Sequence, residues 1–392
     1  MFLQAVFLDS FFYLKNILSK VHQFVKNINL FIIYVIVIIP TGCSDNNTKN
    51  QLIAAESIVT HSKYLKINET GDGVLIKITH PTVKNKIYNY FVAKNKEKKT
   101  PNGYLRIDRE NVSFLIFSTT HVGMLEKLNQ VSKIKGTCSK ELIHSSSILK
   151  KIDNGSIQSF EDEGLASLEK IIKLKPRIIV YSGSSSEFNK ASLLEKMNIF
   201  TIPNFDWKET HPLGKAEWIL FFGYLTGSEN LAKQHLKRVK DNYFSLVEKV
   251  KGLKTSPSVL MGSKIGDFWY GPAGESYGAK LLNDAKANYV YKKTRGTASV
   301  EYSMEKVFSE AKNVEFWINP GFSSLKLLEM NNPKAKFFNS FQNKKIYCYS
   351  NNQNKYWELN GVQPDWILSD LIQIFHPNLK LENPMYFYKA VE

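Results

Sequence analysis

The sequence predicts an α/β protein: two Rossmann-like lobes with largely parallel sheets, joined by one long α-helix and preceded by a small N-terminal β-hairpin region. Three observations predict it. The 392 residues exceed a usual single domain, and 43% apolar with 13% aromatic residues supply two cores. Short apolar strands alternate with helical stretches in both halves of the chain, the pattern of parallel sheets with crossover helices. Between the halves, Glu229 to Val250 is Lys-rich and free of Gly and Pro. Its apolar residues (Leu231, Leu236, Val239, Tyr243, Leu246, Val250) recur at helical steps.

The elements follow in order. Lys15, Lys20 and Lys26 precede an apolar run, Leu30 to Ile39, that ends in Pro40-Thr41-Gly42-Cys43. A basic region, a short apolar stretch and small residues describe a secretory signal over residues 1–42, and the run is too short for a membrane span. Gly42-Cys43 resembles the lipobox of bacterial lipoproteins, in which Cys43 would carry the lipid; Pro40 departs from the Leu usual there. The polar stretch that follows makes residues 43–56 a tether. Residues 57–108 hold alternating runs, Val74 to Ile78 and Ile87 to Val92, that read as the hairpin region, with Lys94 to Gly103 as a loop.

Residues 109–226 read as the first lobe. Val112 to Phe117 is a strand, Ser118 to His121 a polar turn and Val122 to Leu128 a helix. A helix from Gly164 to Leu174 precedes a strand at Arg177 to Tyr181, and a third strand spans Phe200 to Pro203. The bridge occupies 227–252. In the second lobe, 253–392, strands are expected at Ser258 to Met261, Glu315 to Ile318 and Lys345 to Tyr349. Helices are expected around Tyr277 to Ala285, Met304 to Glu310 and Trp366 to Phe375.

Composition excludes several functions. The net charge of +16 comes from Lys spread along the chain, with only five Arg. No basic stripe or recognition module accompanies it, so nucleic acid is not an expected partner. No Gly-x-Ser-x-Gly, His-Glu-x-x-His or Gly-rich phosphate loop occurs and the eight His are scattered, so no enzyme is expected. Beyond Cys43, only Cys138 and Cys348 remain, read as two separate buried thiols rather than a metal site.

From about Arg109 onward the chain resembles the periplasmic binding proteins of ABC importers for iron–siderophore complexes, haem and cobalamin, in particular their Bacteroidetes lipoprotein branch. The resemblance is carried by Phe117-Ser118-Thr119-Thr120-His121 and by Leu168-Glu169-Lys170-Ile171-Ile172-Lys173-Leu174-Lys175-Pro176. It is carried most specifically by Glu209-Thr210-His211-Pro212-Leu213-Gly214-Lys215-Ala216-Glu217-Trp218, with Trp269-Tyr270-Gly271-Pro272 and Tyr356-Trp357-Glu358 further on. It implies two lobes bridged by one helix and a monomer held by its lipid anchor in the periplasm of a Gram-negative bacterium. It also implies a permease dimer as partner. Glu169 and Glu305, in Leu168-Glu169-Lys170-Ile171 and Met304-Glu305-Lys306-Val307, match the family's permease-docking glutamates.

The expected ligand is a ferric siderophore, its Fe³⁺ already chelated, with no further cofactor. Such a ligand needs aromatic walls and a few orienting donors or cations. Candidates on strand ends are Thr119, His121, Tyr181 and Trp207 in the first lobe, and Trp269, Tyr270, Arg295, Tyr356 and Trp357 in the second. Arg295 offers planar bidentate contact to an anion. His211 is expected to cap a helix or orient Glu209, and Glu217 to be structural. Haem is the alternative, with His121, Tyr270 or Tyr356 as axial ligands, and cobalamin comes third. A surface lipoprotein working without a permease is a further alternative.

Overall fold

In Leu65–Glu69 burial alternates along the first three residues, the period-2 signature of a strand with one face on a core. This strand, β1, opens a sheet with β2 (Gly73–Thr79), β3 (Ile87–Ala93) and β4 (Leu105–Ile107), in that spatial order. The first three are antiparallel; β4 adds in parallel beside β3, beyond the Lys-rich loop. The computed structural model describes residues 56–161, 166–183, 188, 190–349 and 355–392. The signal segment, Cys43 and nearly all of the tether lie outside these residues.

The first lobe holds β5 (Phe114–Ile116), β6 (Ile134–Thr137), β7 (Gln158–Ser159), β8 (Ile178–Tyr181) and β9 (Phe200–Pro203), ordered β7-β6-β5-β8-β9 and all parallel. Alternation sends Phe114, Ile116, Ile178 and Val180 to the main core. Leu115, Ile179 and Tyr181 go to a smaller core on the opposite face, with Phe188, Ile171 and Leu194.

The second lobe begins with β10 (Ser258–Met261), followed by β11 (Ser263–Ile265), β12 (Phe268–Pro272), β13 (Asn288–Tyr289), β14 (Ser299–Ser303), β15 (Phe316–Ile318), β16 (Ile346–Tyr349) and β17 (Tyr388–Ala390). Its main sheet runs β13-β10-β15-β16-β17, parallel except for β17. A separate antiparallel sheet, β11-β12-β14, branches off after Gly262. The bridging helix, Glu229–Lys251, buries Leu236, Val239, Tyr243, Leu246 and Val250. It packs on the helices Trp218–Thr226 and Pro364–Phe375, one from each lobe.

Two buried carboxylates fasten the N-terminal segment to the first lobe. Glu217, fully buried, accepts the backbone N–H groups of Thr60 (3.0 Å), His61 (2.8 Å) and Ser62 (2.8 Å), and the Lys240 ammonium at 2.6 Å. Glu209 accepts Lys63 N–H at 2.9 Å, the Ser62 hydroxyl and the Trp218 indole N–H at 3.0 Å. His211 caps its helix, its Nδ1 accepting from Leu213 N–H at 3.1 Å. The most specific sequence block is thus a receptor for a strap at residues 60–63. Burial opposes the charge on Glu217, but its donors overcome this and bring its pKa down to about 2. Cys138 and Cys348 are both free thiols, pushed up to about 11 by burial.

Candidate functional site between the strand ends

The helix Thr119–Lys127 starts directly at the C-terminal end of β5, so Ser118 to His121 is its cap and first turn rather than a free polar turn. At the corresponding end of β16, the helix Tyr356–Leu359 packs onto that first-lobe helix. At two glycines the fit leaves no space for a side chain. A Cβ on Gly123 would lie 1.8 Å from the Glu358 carbonyl oxygen, and one on Gly361 2.3 Å from the Thr120 methyl carbon. Glu358 Oε1 accepts from His144 N–H (2.6 Å) and Ser145 N–H (3.1 Å), while Lys355 Nζ reaches Glu126 at 3.0 Å. The Thr120 hydroxyl donates to the Trp357 carbonyl at 3.2 Å. The helices that follow β5 and β16 therefore meet at one seam between the lobes, on the carboxyl side of strands where open α/β sheets place ligands.

Two of the exposed aromatic side chains stand just beyond such strands. Trp207, 44% exposed, follows β9 and donates its indole N–H to Ser182 O at 2.7 Å; Lys208 Nζ lies 4.3 Å from its ring centroid. Trp357, 41% exposed, stands at the seam edge-on to Tyr349 and Tyr356. Thr119 is half-buried at the helix start. In the second lobe, Tyr270 is half-buried on β12 and donates its hydroxyl to Glu301 at 2.7 Å; burial first, then Glu301, pushes its pKa up to about 12. Arg295 is exposed on the loop after β13.

Four candidates are corrected. Trp269 is 0% exposed: β12 alternates, so Phe268 and Tyr270 face outward while Trp269 packs at 5.3 Å on Trp317. Tyr181 shares the buried face of β8 with Ile179, under the helices Leu168–Leu174 and Ala191–Lys196. Tyr356 is stacked flat on Tyr349 at 3.8 Å, within the core. His121 turns inward beside Phe222, its Nε2 3.3 Å from Asp206 Oδ1.

That inward turn exposes a residue the sequence reading missed. Lys215 is buried, yet its ammonium donates to Asn360 Oδ1 at 3.0 Å, lies 3.9 Å from Asp206 and sits 5.2 Å from the Tyr277 ring centroid. It therefore joins the first lobe to the second at the seam. Burial would raise the Asp206 pKa, but His121, Lys215 and the Trp207 N–H outweigh it, and the carboxyl stays below its ordinary value. Lys215 stands in the Pro-Leu-Gly-Lys-Ala block, but nothing in its spacing separates it from the many surface lysines. Phe268 had a readable signal: Gly266-Asp267 between two short alternating runs marks a hairpin. Among the described residues no group of three His, Cys, Asp or Glu is placed to hold a metal ion.

The sequence profile described as periplasmic binding protein matches residues 116–352, more than half of the chain. The chain belongs to this family. An uncharacterized lipoprotein of Methanocaldococcus jannaschii is 25% identical over 318 residues, covering 76% of this chain and 75% of that one. Among solved structures, the fold is similar to that of a Staphylococcus epidermidis protein described as a "possible" iron-binding (periplasmic solute-binding) protein. The TM-score is 0.54 at 17% identity, covering 67% of this chain and 98% of that one. The periplasmic haem-binding protein of Vibrio cholerae gives a TM-score of 0.53 at 12% identity, covering 69% and 99%. As in the expected architecture of a periplasmic binding protein, two α/β lobes stand either side of one long helix.

Proposed function

We propose that this periplasmic binding protein is the substrate-binding component of an ABC importer, capturing a ferric siderophore-like chelate at the seam between its lobes. What supports the reading is that Trp207 is exposed just after β9 and Trp357 is exposed on the helix after β16, with Tyr270 half-buried on β12. Outward aromatic area with a few donors and cations (Lys208, Arg295) suits a bulky ligand whose iron is already coordinated. The iron-binding description of the Staphylococcus protein points the same way. The haem alternative keeps one of its three axial candidates, Tyr270, since His121 and Tyr356 are buried in packed surroundings. Lipidation at Cys43 would hold the protein outside the cytoplasm, beside its permease, in keeping with the lipoprotein relative.

Glu169 and Glu305 are proposed to dock the two lobes on the permease dimer. Both are exposed at the second position of a helix that follows a serine cap, Ser167 and Ser303. Tryptophan quenching against a panel of ferric siderophores, haemin and cyanocobalamin tests the ligand. Saturable quenching by a ferric siderophore is expected. Silence across the panel, with tight binding of free Fe³⁺ or Zn²⁺, refutes the reading.

A further inference from the structure

Glu305 does not stand alone on its face of the second lobe. Its helix, Met304–Ala311, follows β14 directly and packs against β12. Phe268, 45% exposed, is the cross-strand partner of Ser303, two residues before Glu305. On the other flank, Lys334 Nζ lies 3.3 Å from Glu305 Oε1. That contact ties in the turn Ala335–Phe337 and the helix Leu325–Asn331 packed on it, which expose Phe337 (56%) and Met330 (68%). Phe338, the next residue, is buried against Phe308 at 5.4 Å, so the segment is anchored and Phe337 is held outward on a fixed backbone.

We propose that Phe268, Met330 and Phe337 form an apolar rim around Glu305 on which the second lobe seats against the permease, excluding water from the contact that Glu305 makes. This rests on the docking role proposed above for Glu305. Interface hot spots work this way, apolar side chains beside a charged group keeping its partner ion pair dry. The rim is continuous with the docking glutamate, being joined to it through Ser303 on one side and Lys334 on the other. The Glu305–Lys334 pair is itself largely solvent-exposed and so weak, and a permease arginine in a drier, bidentate contact displaces Lys334. All three rim residues are exposed, so their replacement by serine leaves the core intact.

The test measures docking of the full chain to its permease–ATPase complex in lipid nanodiscs, with ligand-dependent tryptophan quenching as the control. The double variant Met330→Ser, Phe337→Ser is expected to dock about tenfold more weakly, with quenching unchanged. Phe268→Ser is expected to act in the same direction. Docking within twofold of wild type in all rim variants, while Glu305→Lys abolishes it, overturns the rim and leaves the docking glutamate standing. No docking by the wild-type chain removes the importer reading itself. Sedimentation that shows a wild-type dimer dispersed by Phe337→Ser also overturns the proposal, assigning the rim to a second copy of the chain.

Discussion

Replacing Glu217 by Gln keeps the shape of the side chain and removes its charge. In the wild type the buried carboxylate collects three backbone N–H groups from residues 60–62 and the Lys240 ammonium. These donors bring its pKa from an ordinary 4.5 down to about 2. At 1.36 kcal/mol per unit, the difference corresponds to about 3 kcal/mol of stability at neutral pH. Since the folded value lies below the unfolded one, that contribution is complete above pH 4.5 and is lost as the pH falls through about 2. For a body of this size about 3 kcal/mol lowers Tm by roughly 4 °C. Calorimetry at pH 7 reads the Tm. A pH series from 5 to about 2.5 reads the acid slope, which Glu217→Gln flattens. Hydrogen exchange adds a local readout, with faster exchange at Thr60, His61 and Ser62. A Tm within 1 °C of wild type together with an unchanged acid slope refutes the assignment of Glu217 as the strap's anchor.

Other outcomes follow from the same geometry. Trp207→Ala weakens ligand quenching while leaving Tm unchanged. Trp269→Ala lowers stability by about 3–5 kcal/mol through the cavity it leaves beside Trp317, and calorimetry separates the two. Gly123→Ala drives a methyl into the Glu358 carbonyl and destabilises the chain by about 1–3 kcal/mol in urea titration. His211, lowered to about 4 chiefly by burial and then by His61, stays neutral when folded; protonation favours the unfolded chain, so its contribution fades as pH drops from 6.5 towards 4. An NMR titration showing His211 charged at pH 6 refutes this. Charge reversal at Glu169 and Glu305 abolishes uptake in cells and leaves ligand affinity unchanged; a loss of affinity places them in the ligand site instead.

Long periodic elements were legible because burial imposes their spacing. The bridging helix, Glu229–Lys251, and β10, Ser258–Met261, sit where the pattern puts them, since one face of each must be apolar. The short sheet β11-β12-β14 was not read, although a hairpin turn stood between its first two strands. That omission assigned Trp269 to a loop, where both sides of a residue are open, whereas in a strand the pleat decides. The helix Tyr356–Leu359 did the same to its aromatic pair, burying Tyr356 and leaving Trp357 outside. In the sequence His121 and Tyr181 show only their place at strand ends. Their directions depend on which face is covered, and that is a property of elements distant in sequence. Lys215 illustrates the opposite limit: its role depends on Asn360, 145 positions away, and no local pattern encodes such a pair.

The contact of Gly123 with Glu358 has a kinetic consequence for the transport cycle. Helices packed this closely at the seam part only by breaking the contact, so a ligand held there without lobe opening would spend little free energy on closure. The same stiffness removes a signal. A body whose outline changes little on loading offers the permease nearly the same face whether empty or full. In the proposed importer, empty copies would compete with loaded ones for the permease, so flux would follow the loaded fraction of the protein.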